Sequence, residues 1–480
     1  MSTRIVGPFN RVEGDLEVRL DVVDGQVQSA RVVSPLYRGF EPMLLGRAAE
    51  DALVIVPRIC GICSVAQSAA AASALRQAAG LLPPENGQLA ANLVLACENL
   101  ADHLSHFYLF FMPDFARDAY RRRPWFAQAR ARFKAGEGSA TGDVLPARAS
   151  FMHLMGLMAG KWPHTLCLQP GGTSRPLEGA ECLQVLSLLR AFRRFLERHV
   201  FGDALETVAA LASASDLAQW RRDRPGDLAL FLAISDDLGL HAVGRATDVF
   251  LSAGAYPLDQ SPMFAGGVWR EGRVEPLQPS AIVEDLSHAW MAGGTAAPFA
   301  GQTVPAPDKA DAYTWCKAPR YHDRVVETGA MARQMVAGHA LIRELVANEG
   351  GSVRTRVLAR LLEFARVLPA MEIWAQALQP RAPWCLPFVV PDHAHGCGMV
   401  EAARGALGHW LGLQHGRLSG YQIIAPTTWN FSPRDAAGTP GALEQALVGL
   451  PVPEAEAEDP PLLVQHVVRS FDPCMVCTVH

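Results

Sequence analysis

Two cysteine pairs near opposite ends of the chain constrain its folding more than any other feature. Cys60-Gly61-Ile62-Cys63 comes early and Cys474-Met475-Val476-Cys477 comes late, so Cys63 and Cys474 stand 411 residues apart. A C-x-x-C turn aims both of its sulfurs the same way, and four converging thiolates form a soft donor set suited to zinc, nickel or an iron–sulfur unit. One such pair alone is ambiguous, since it also fits a redox disulfide or half of a zinc ribbon. Zinc ribbons usually close over much shorter loops, and on spacing alone a structural zinc and a catalytic metal stand level. Ten cysteines in 480 residues do not suggest a disulfide scaffold. The other six (Cys97, Cys167, Cys182, Cys316, Cys385 and Cys397) are expected to be small buried hydrophobes.

The 49% hydrophobic content of a chain this long exceeds what one small core needs. No linker divides it, so residues 1–480 are expected to form one unit, a helix-dominated α+β chain. A net charge of −5 gives no sign of a nucleic-acid partner. A local basic run from Arg117 to Lys134, with Arg121, Arg122, Arg123, Arg130 and Arg132, reads as a solvated face or an intersubunit salt-bridge patch. No apolar run reaches the ~18 residues of a membrane span. Met1 to Pro8 is too short and polar for a signal peptide, so a cytoplasmic location is expected, although a partner chain can carry an export signal for both.

Alternation in LEVRLDVVDGQVQSARVV, with Asp24-Gly25 between two runs, predicts a β-hairpin. Helical patterns are expected at about 41–52, from Ser64 to Gly80, and at about 85–112, 177–213 and 325–378. Residues 250–320, rich in Gly, Pro and aromatics, read as irregular with short strands. The region from about 380 onward reads as irregular apart from a helix near Met399 to Leu411, and 453–461 as an acidic surface loop.

The surroundings of the cysteines narrow the choice. Arg58-Ile59 precedes the first pair, Asp472-Pro473 precedes the second, and Thr478-Val479-His480 follows it. Near the start stands Arg11-Val12-Glu13-Gly14. Further segments are Tyr37-Arg38-Gly39-Phe40-Glu41, Asp102-His103, Pro170-Gly171-Gly172 and Lys317-Ala318-Pro319-Arg320-Tyr321. Later come the run from Glu401 through Arg404 to His409 and Pro426-Thr427-Thr428-Trp429-Asn430. In this order they resemble the large subunits of nickel–iron hydrogenases, over the whole chain.

The resemblance implies a site and a chemistry. Cys60 and Cys474 would be terminal nickel ligands, and Cys63 and Cys477 would bridge nickel to an iron bearing carbon monoxide and cyanide. The reaction would be heterolytic cleavage of H2, with the Cys474 thiolate as first proton acceptor and Glu13 as the next relay. Arg404 would hang over the metals, accompanied by Asp102 and Asp472, with Thr427 and the backbone around Arg404 placed toward the cyanides. Glu41, the carbonyl of Ile423 and His480 match a structural Mg²⁺ site, which would fix a C-terminal residue otherwise expected to be a loose tail. Electrons would leave through an iron–sulfur small subunit, in a heterodimer or a dimer of such heterodimers, because no further cysteine set for clusters is present.

The sequence departs from the commonest family pattern at Gln67, where most members carry a histidine that hydrogen-bonds a bridging thiolate, and at Ala403, usually Pro. Glutamine keeps a donor but cannot be protonated. The Gln67 change is shared by a subgroup that senses H2. The sequence stops at His480, so either the cleaved extension usual in the family is absent from the gene, as in that subgroup, or this is the processed form. Bulk at Ile62 and Phe110 would narrow gas access, though ordinary core packing also explains both. The leading expectation is therefore an H2-sensing regulatory hydrogenase subunit, with a histidine kinase as its signalling partner. Its rivals are an energy-conserving uptake hydrogenase and, remotely, a non-catalytic zinc-bound structural subunit.

Overall fold

The computed structural model describes residues 2–258, 261–452 and 461–478. Asp24 and Gly25 turn the chain between strands Glu17–Val23 and Gln26–Val33, as the alternation predicts. Both turn residues have left-handed backbone, with φ of 49° and 73°, the geometry in which the twist of a two-residue loop matches that of its strands. Ser2–Val6 pairs antiparallel with Glu17–Val23 and completes a three-stranded sheet. Val18, Leu20, Ala30 and Val32 point from it into the core.

Helices dominate the rest, with breaks where glycine admits a left-handed turn. The expected helix over 41–52 is two short pieces, Phe40–Leu44 and Asp51–Ile55, separated at Gly46. Ser64–Ala78 follows the first cysteine pair. Glu85–Ser105 continues into a π-helical turn, His106–Phe111. The pattern over 177–213 becomes Gly179–Phe195, a π-turn Leu196–Phe201 and Leu205–Ala209, with Gly202 at φ 66° between the last two. The pattern over 325–378 becomes three helices, Ala330–Ala337, Ala340–Glu349 and Val353–Ala377, parted at Gly338 and Gly350. Glu85–Ser105 packs against Val353–Ala377 and against Ser139–Ala159, a helix the pattern reading misses.

Two expectations are corrected. Residues 250–320 hold more than short strands: Phe250–Leu258 and Ser261–Arg270 pair antiparallel, with Arg273–Glu275 at the edge. The helix expected over Met399 to Leu411 is a β-hairpin of His393–Ala402 and Gly405–Gln414, joined by Arg417–Ile424. The middle strand is buried on both faces from Gly405 to Leu413, so its apolar residues run continuously and show no alternation. Gly396 and Gly398 bring this sheet against Ser64–Ala78; a Cβ at either would lie 2.1 Å from the carbonyl oxygen of Ala74 or Ala70. The sheet that leads to Arg404 is thereby seated on the helix that follows Cys63. The acidic stretch at 453–461 falls outside the described residues except for Pro461.

One contiguous apolar core includes Leu20, Leu75, Leu100, Leu361, Leu411 and Val467 together with Cys60, Cys474 and Cys477. No helix among the described residues is long and apolar enough to cross a membrane. Of the six isolated cysteines, Cys97, Cys167 and Cys316 are buried as expected, Cys182 and Cys397 are half-buried, and Cys385 is exposed. The basic run is largely paired within the chain: Arg132 with Asp227 at 2.8 Å, Arg130 with Asp118 at 3.2 Å and Arg123 with Asp237 at 3.3 Å.

Candidate metal centre

The two cysteine pairs meet. The Cys60 and Cys474 sulfurs are 3.4 Å apart, those of Cys63 and Cys477 3.1 Å, those of Cys474 and Cys477 3.1 Å, and all four lie within 4.8 Å of one another. Cys60 ends a short 3₁₀ turn, Val56–Ile59, and Cys63 is the N-cap of Ser64–Ala78. Cys474 and Cys477 bracket the turn Met475–Thr478. Cys60, Cys474 and Cys477 are buried and Cys63 is half-buried. No other cluster of this kind occurs among the described residues.

The charges of this cluster call for a cation. Hydrogen bonds from the other three sulfurs push Cys60 far down, while the same crowding pushes Cys63 and Cys474 far up. Each thiolate formed here faces other sulfurs at about 3 Å, so charging several of them together is opposed by mutual repulsion. A soft multivalent cation in place of the protons relieves that repulsion, and nickel with iron fits this donor set.

The N-terminal segment is pinned to the second pair. Met475 N–H donates to the Glu13 carbonyl at 2.7 Å, and Glu13 N–H donates to the Pro473 carbonyl at 3.3 Å, forming a parallel bridge between Glu13 and Cys474. Gly14, at φ 80°, lies where a Cβ would meet Val476 at 2.9 Å. Burial raises the Glu13 carboxyl, the Cys60 thiolate adds to this, and Arg404 opposes it. Thr427 Oγ1 accepts from Cys474 N–H at 3.2 Å.

Arg404, Asp102 and Asp472 also come together. Arg404 Nε donates to the Asp472 carbonyl at 2.9 Å and Nη2 to its carboxylate at 3.0 Å, while Nη1 pairs with Asp102 at 2.8 Å. Burial works against the Arg404 charge, but Asp102, Asp472 and the sulfurs of Cys474 and Cys63 outweigh it and hold the guanidinium firmly protonated. Burial pushes Asp102 up to about 7 against the pull of Arg404. Burial would raise Asp472 too, but Arg404, His106 and Arg360 bring it down to about 2.

Behind this triad lies a buried network absent from the sequence reading. Arg360 pairs with Asp472 at 3.0 Å. Arg333 grips Glu363 with two bonds of 2.8 Å, reaches Glu401 at 2.6 Å, and donates to the carbonyls of Ala402 and Ala403 at 2.8 and 3.1 Å. It thus fixes the two residues that precede Arg404. Glu363 also accepts from His103 Nε2–H at 2.8 Å. Arg356, Arg360 and Glu363 sit on one face of Val353–Ala377, a face that periodicity alone assigns to solvent when it carries charge.

Gln67, one turn into the helix after Cys63, is fully buried. Its Oε1 lies 2.8 Å from His409 Nε2, and His409 Nδ1 lies 2.8 Å from the Tyr421 hydroxyl. Its Nε2 has no partner within the protein among the described residues, a buried donor left over.

Glu41 and Ile423 are brought together: the buried Glu41 carboxylate accepts from Ile423 N–H at 2.8 Å. It also takes Lys317 Nζ at 2.9 Å and the Thr303 hydroxyl. Lys317 reaches Gln422 at 2.7 Å and Glu284 at 3.5 Å, and burial pushes Glu284 up to about 7 despite that ammonium. His480 lies outside the described residues.

The model of the nickel-dependent hydrogenase family matches residues 38–118 and 143–480. The large subunit of the periplasmic [NiFeSe] hydrogenase of Desulfomicrobium baculatum is 30% identical, over 99% of this chain and 94% of its own length. The hydrogenase-2 large chain of Escherichia coli is 26% identical, over 100% of this chain and 97% of its own. Among solved structures, the Ni-Fe-Se hydrogenase of D. vulgaris Hildenborough in the reduced state superposes with a TM-score of 0.85 at 30% identity, covering all of both chains. Selenium belongs to the names of the D. baculatum and D. vulgaris relatives; positions 60, 63, 474 and 477 here are all cysteine. With the four sulfurs gathered at one point and the family's model spanning nearly the whole sequence, the chain belongs to the nickel-dependent hydrogenases as a large subunit.

Proposed function

We propose that this subunit cleaves H2 heterolytically, in one unit formed by residues 1–480, and works as an H2 sensor. The observation that carries the first part is the convergence of Cys60, Cys63, Cys474 and Cys477 into a set whose charges need a soft cation. Cys60 and Cys474 would hold nickel as terminal ligands, and Cys63 and Cys477 would be shared with an iron carrying CO and CN. Once bound, that metal pair supplies the electrophile that binds and polarises H2 and accepts its electrons.

The chain's own residues manage protons and charge. The Cys474 thiolate takes the first proton and the Glu13 carboxylate the next. The backbone bridge between them supports this order, as does the raised proton affinity of Glu13. Arg404, steadied by Asp472 and Asp102, presents a cation that cannot be lost by deprotonation. Thr427 and Arg404 would offer hydrogen bonds toward the cyanides, and Gln67 Nε2 is a buried donor that a bridging thiolate could use. Glu41, the Ile423 carbonyl and His480 would hold Mg²⁺, beside the Lys317 ammonium that pairs with Glu41. Electrons pass to an iron–sulfur small subunit, as the pairing implied by "large subunit" in the relatives' names suggests.

The sensor reading rests on Gln67, supported by the half-buried Ile62 and Phe110 as constrictions of gas access. It implies a cytoplasmic heterodimer, or a dimer of heterodimers, signalling to a histidine kinase. A second reading, an uptake hydrogenase, is favoured by relatives such as the uptake hydrogenase large subunit of Rhodobacter capsulatus, 25% identical over 99% of this chain. Infrared spectra and metal analysis of the purified complex under H2 test the centre: CO and CN bands with nickel and iron in equal amounts are expected, and stoichiometric zinc without bands refutes it. Deleting the gene separates the two roles. Lost H2-dependent expression of other hydrogenases supports the sensor, and lost growth on H2 with normal expression supports uptake.

A further inference from the structure

Glu98 is a buried carboxylate on Glu85–Ser105, and its side chain crosses to the first turn of Ser64–Ala78. Oε2 accepts from Val65 N–H at 2.9 Å and Oε1 from Ala66 N–H at 3.0 Å. The Ser64 hydroxyl, at 3.3 Å, and the Trp162 indole N–H, at 2.9 Å, also donate to Oε2. Burial outweighs the pull of these donors and pushes the carboxyl up to about 8. All four partners donate to its oxygens, so both amides are held as donors by this side chain.

The position of these amides gives Glu98 its meaning. Cys63 is the N-cap of the helix, and its side chain makes no capping bond. An N-cap acceptor ordinarily takes the amide of the second or third helical residue, here Val65 or Ala66. A cysteine so placed would offer its thiolate to them. Both amides are instead taken by a carboxylate from another helix, which also complements the positive end of the helix dipole.

We infer that Glu98 is a positioning residue that withholds the helix N-terminal amides from Cys63, leaving that sulfur's lone pairs undivided for metal binding. The inference rests on reading Cys63 as a bridging ligand. An N–H bond to a metal-bound thiolate draws electron density from it and weakens its donation. Glutamine at position 98 could satisfy one amide with its oxygen, but its NH2 would meet the other as donor against donor. At least one N–H would then be free to turn to Cys63.

The test is the infrared spectrum of the assembled heterodimer with Glu98→Gln and Glu98→Asp, alongside nickel and iron content. Weaker thiolate donation reduces back-donation from iron, so the CO and CN bands of Glu98→Gln should move to higher wavenumber. Glu98→Asp keeps the charge on a shorter arm and should move them less. Metal loading lost in Glu98→Gln but kept in Glu98→Asp would equally support the inference. Wild-type band positions in Glu98→Gln, equal shifts in both variants, or loss of metal from both would overturn it and leave Glu98 as a packing element. Absence of CO and CN bands from the wild-type protein would instead refute the metal assignment itself.

Discussion

Glu13 and Cys474 are joined through their main chains: the amide next to Cys474 on one side donates to Glu13, and the carbonyl next to it on the other side accepts from Glu13. The side chain of Glu13 is therefore not needed to hold this contact. Glu13→Gln should keep metal content and infrared bands while lowering H2/D⁺ exchange by about 10²-fold or more, the usual weight of an acid–base group. Exchange at the wild-type rate in a variant with normal bands would remove Glu13 from the proton route.

Arg404 uses three nitrogens on two carboxylates and a carbonyl. Lysine keeps the charge but can satisfy only part of that fork. Arg404→Lys should retain nickel, measured by elemental analysis, yet lose about 10²-fold in exchange rate, the scale of removing a fixed electrostatic donor. Retention of more than half the rate would show that charge alone suffices there.

Asp114 tests how the N-terminal segment is held. It is fully buried and pairs with Arg469 at 2.6 Å, with His466 at 3.5 Å and with Arg11, two residues before Glu13. Asp114→Asn leaves Arg469 and Arg11 without their counter-charge and should cost about 3–5 kcal/mol in denaturant unfolding at pH 7. Burial would raise this carboxyl, but His466, Arg469 and Arg11 hold it far below the usual carboxylate range. With a lowered folded-state value, its contribution is present above the unfolded value of about 4 and is lost as pH falls below that. The wild type should therefore lose its advantage over Asp114→Asn on acidification; a constant difference down to strongly acidic pH would contradict the assignment.

Gly398 tests the seat of the Arg404 sheet. An alanine there would drive its Cβ to 2.1 Å from the Ala70 carbonyl, backbone against backbone. Gly398→Ala should lower stability by at least the ~1–3 kcal/mol of an overpacked core, seen as a drop in Tm. Gly416→Ala, which meets nothing within 4 Å but has φ 69°, should cost only the smaller backbone strain of about 1 kcal/mol.

What the sequence revealed divides along physical lines. The cysteine pairs were legible because short-range spacing carries their chemistry, and Asp102, Arg404, Asp472 and Glu13 were reached through the family pattern around them. Glu98, Arg333, Arg360 and Glu363 were not, because each looks like an ordinary polar residue on a helix until its distant partner is known. The pattern from Met399 to Leu411 reads as helix although it forms two strands, because burial of the second on both faces erases alternation. Asp24-Gly25 was read correctly because its conformation depends on two adjacent residues alone.

The separation of the two cysteine pairs has a consequence for biosynthesis. Ribosomes add about 5–20 residues per second, so Cys60 and Cys63 emerge roughly 20–80 s before their counterparts. Throughout that interval the nascent polypeptide exposes half of a soft-metal site to whatever ions the cell contains, zinc among them, with nothing yet to enforce the correct choice. Fidelity of metal insertion must therefore come from outside this polypeptide, through factors that shield the early thiols or deliver the right ion at the moment of closure.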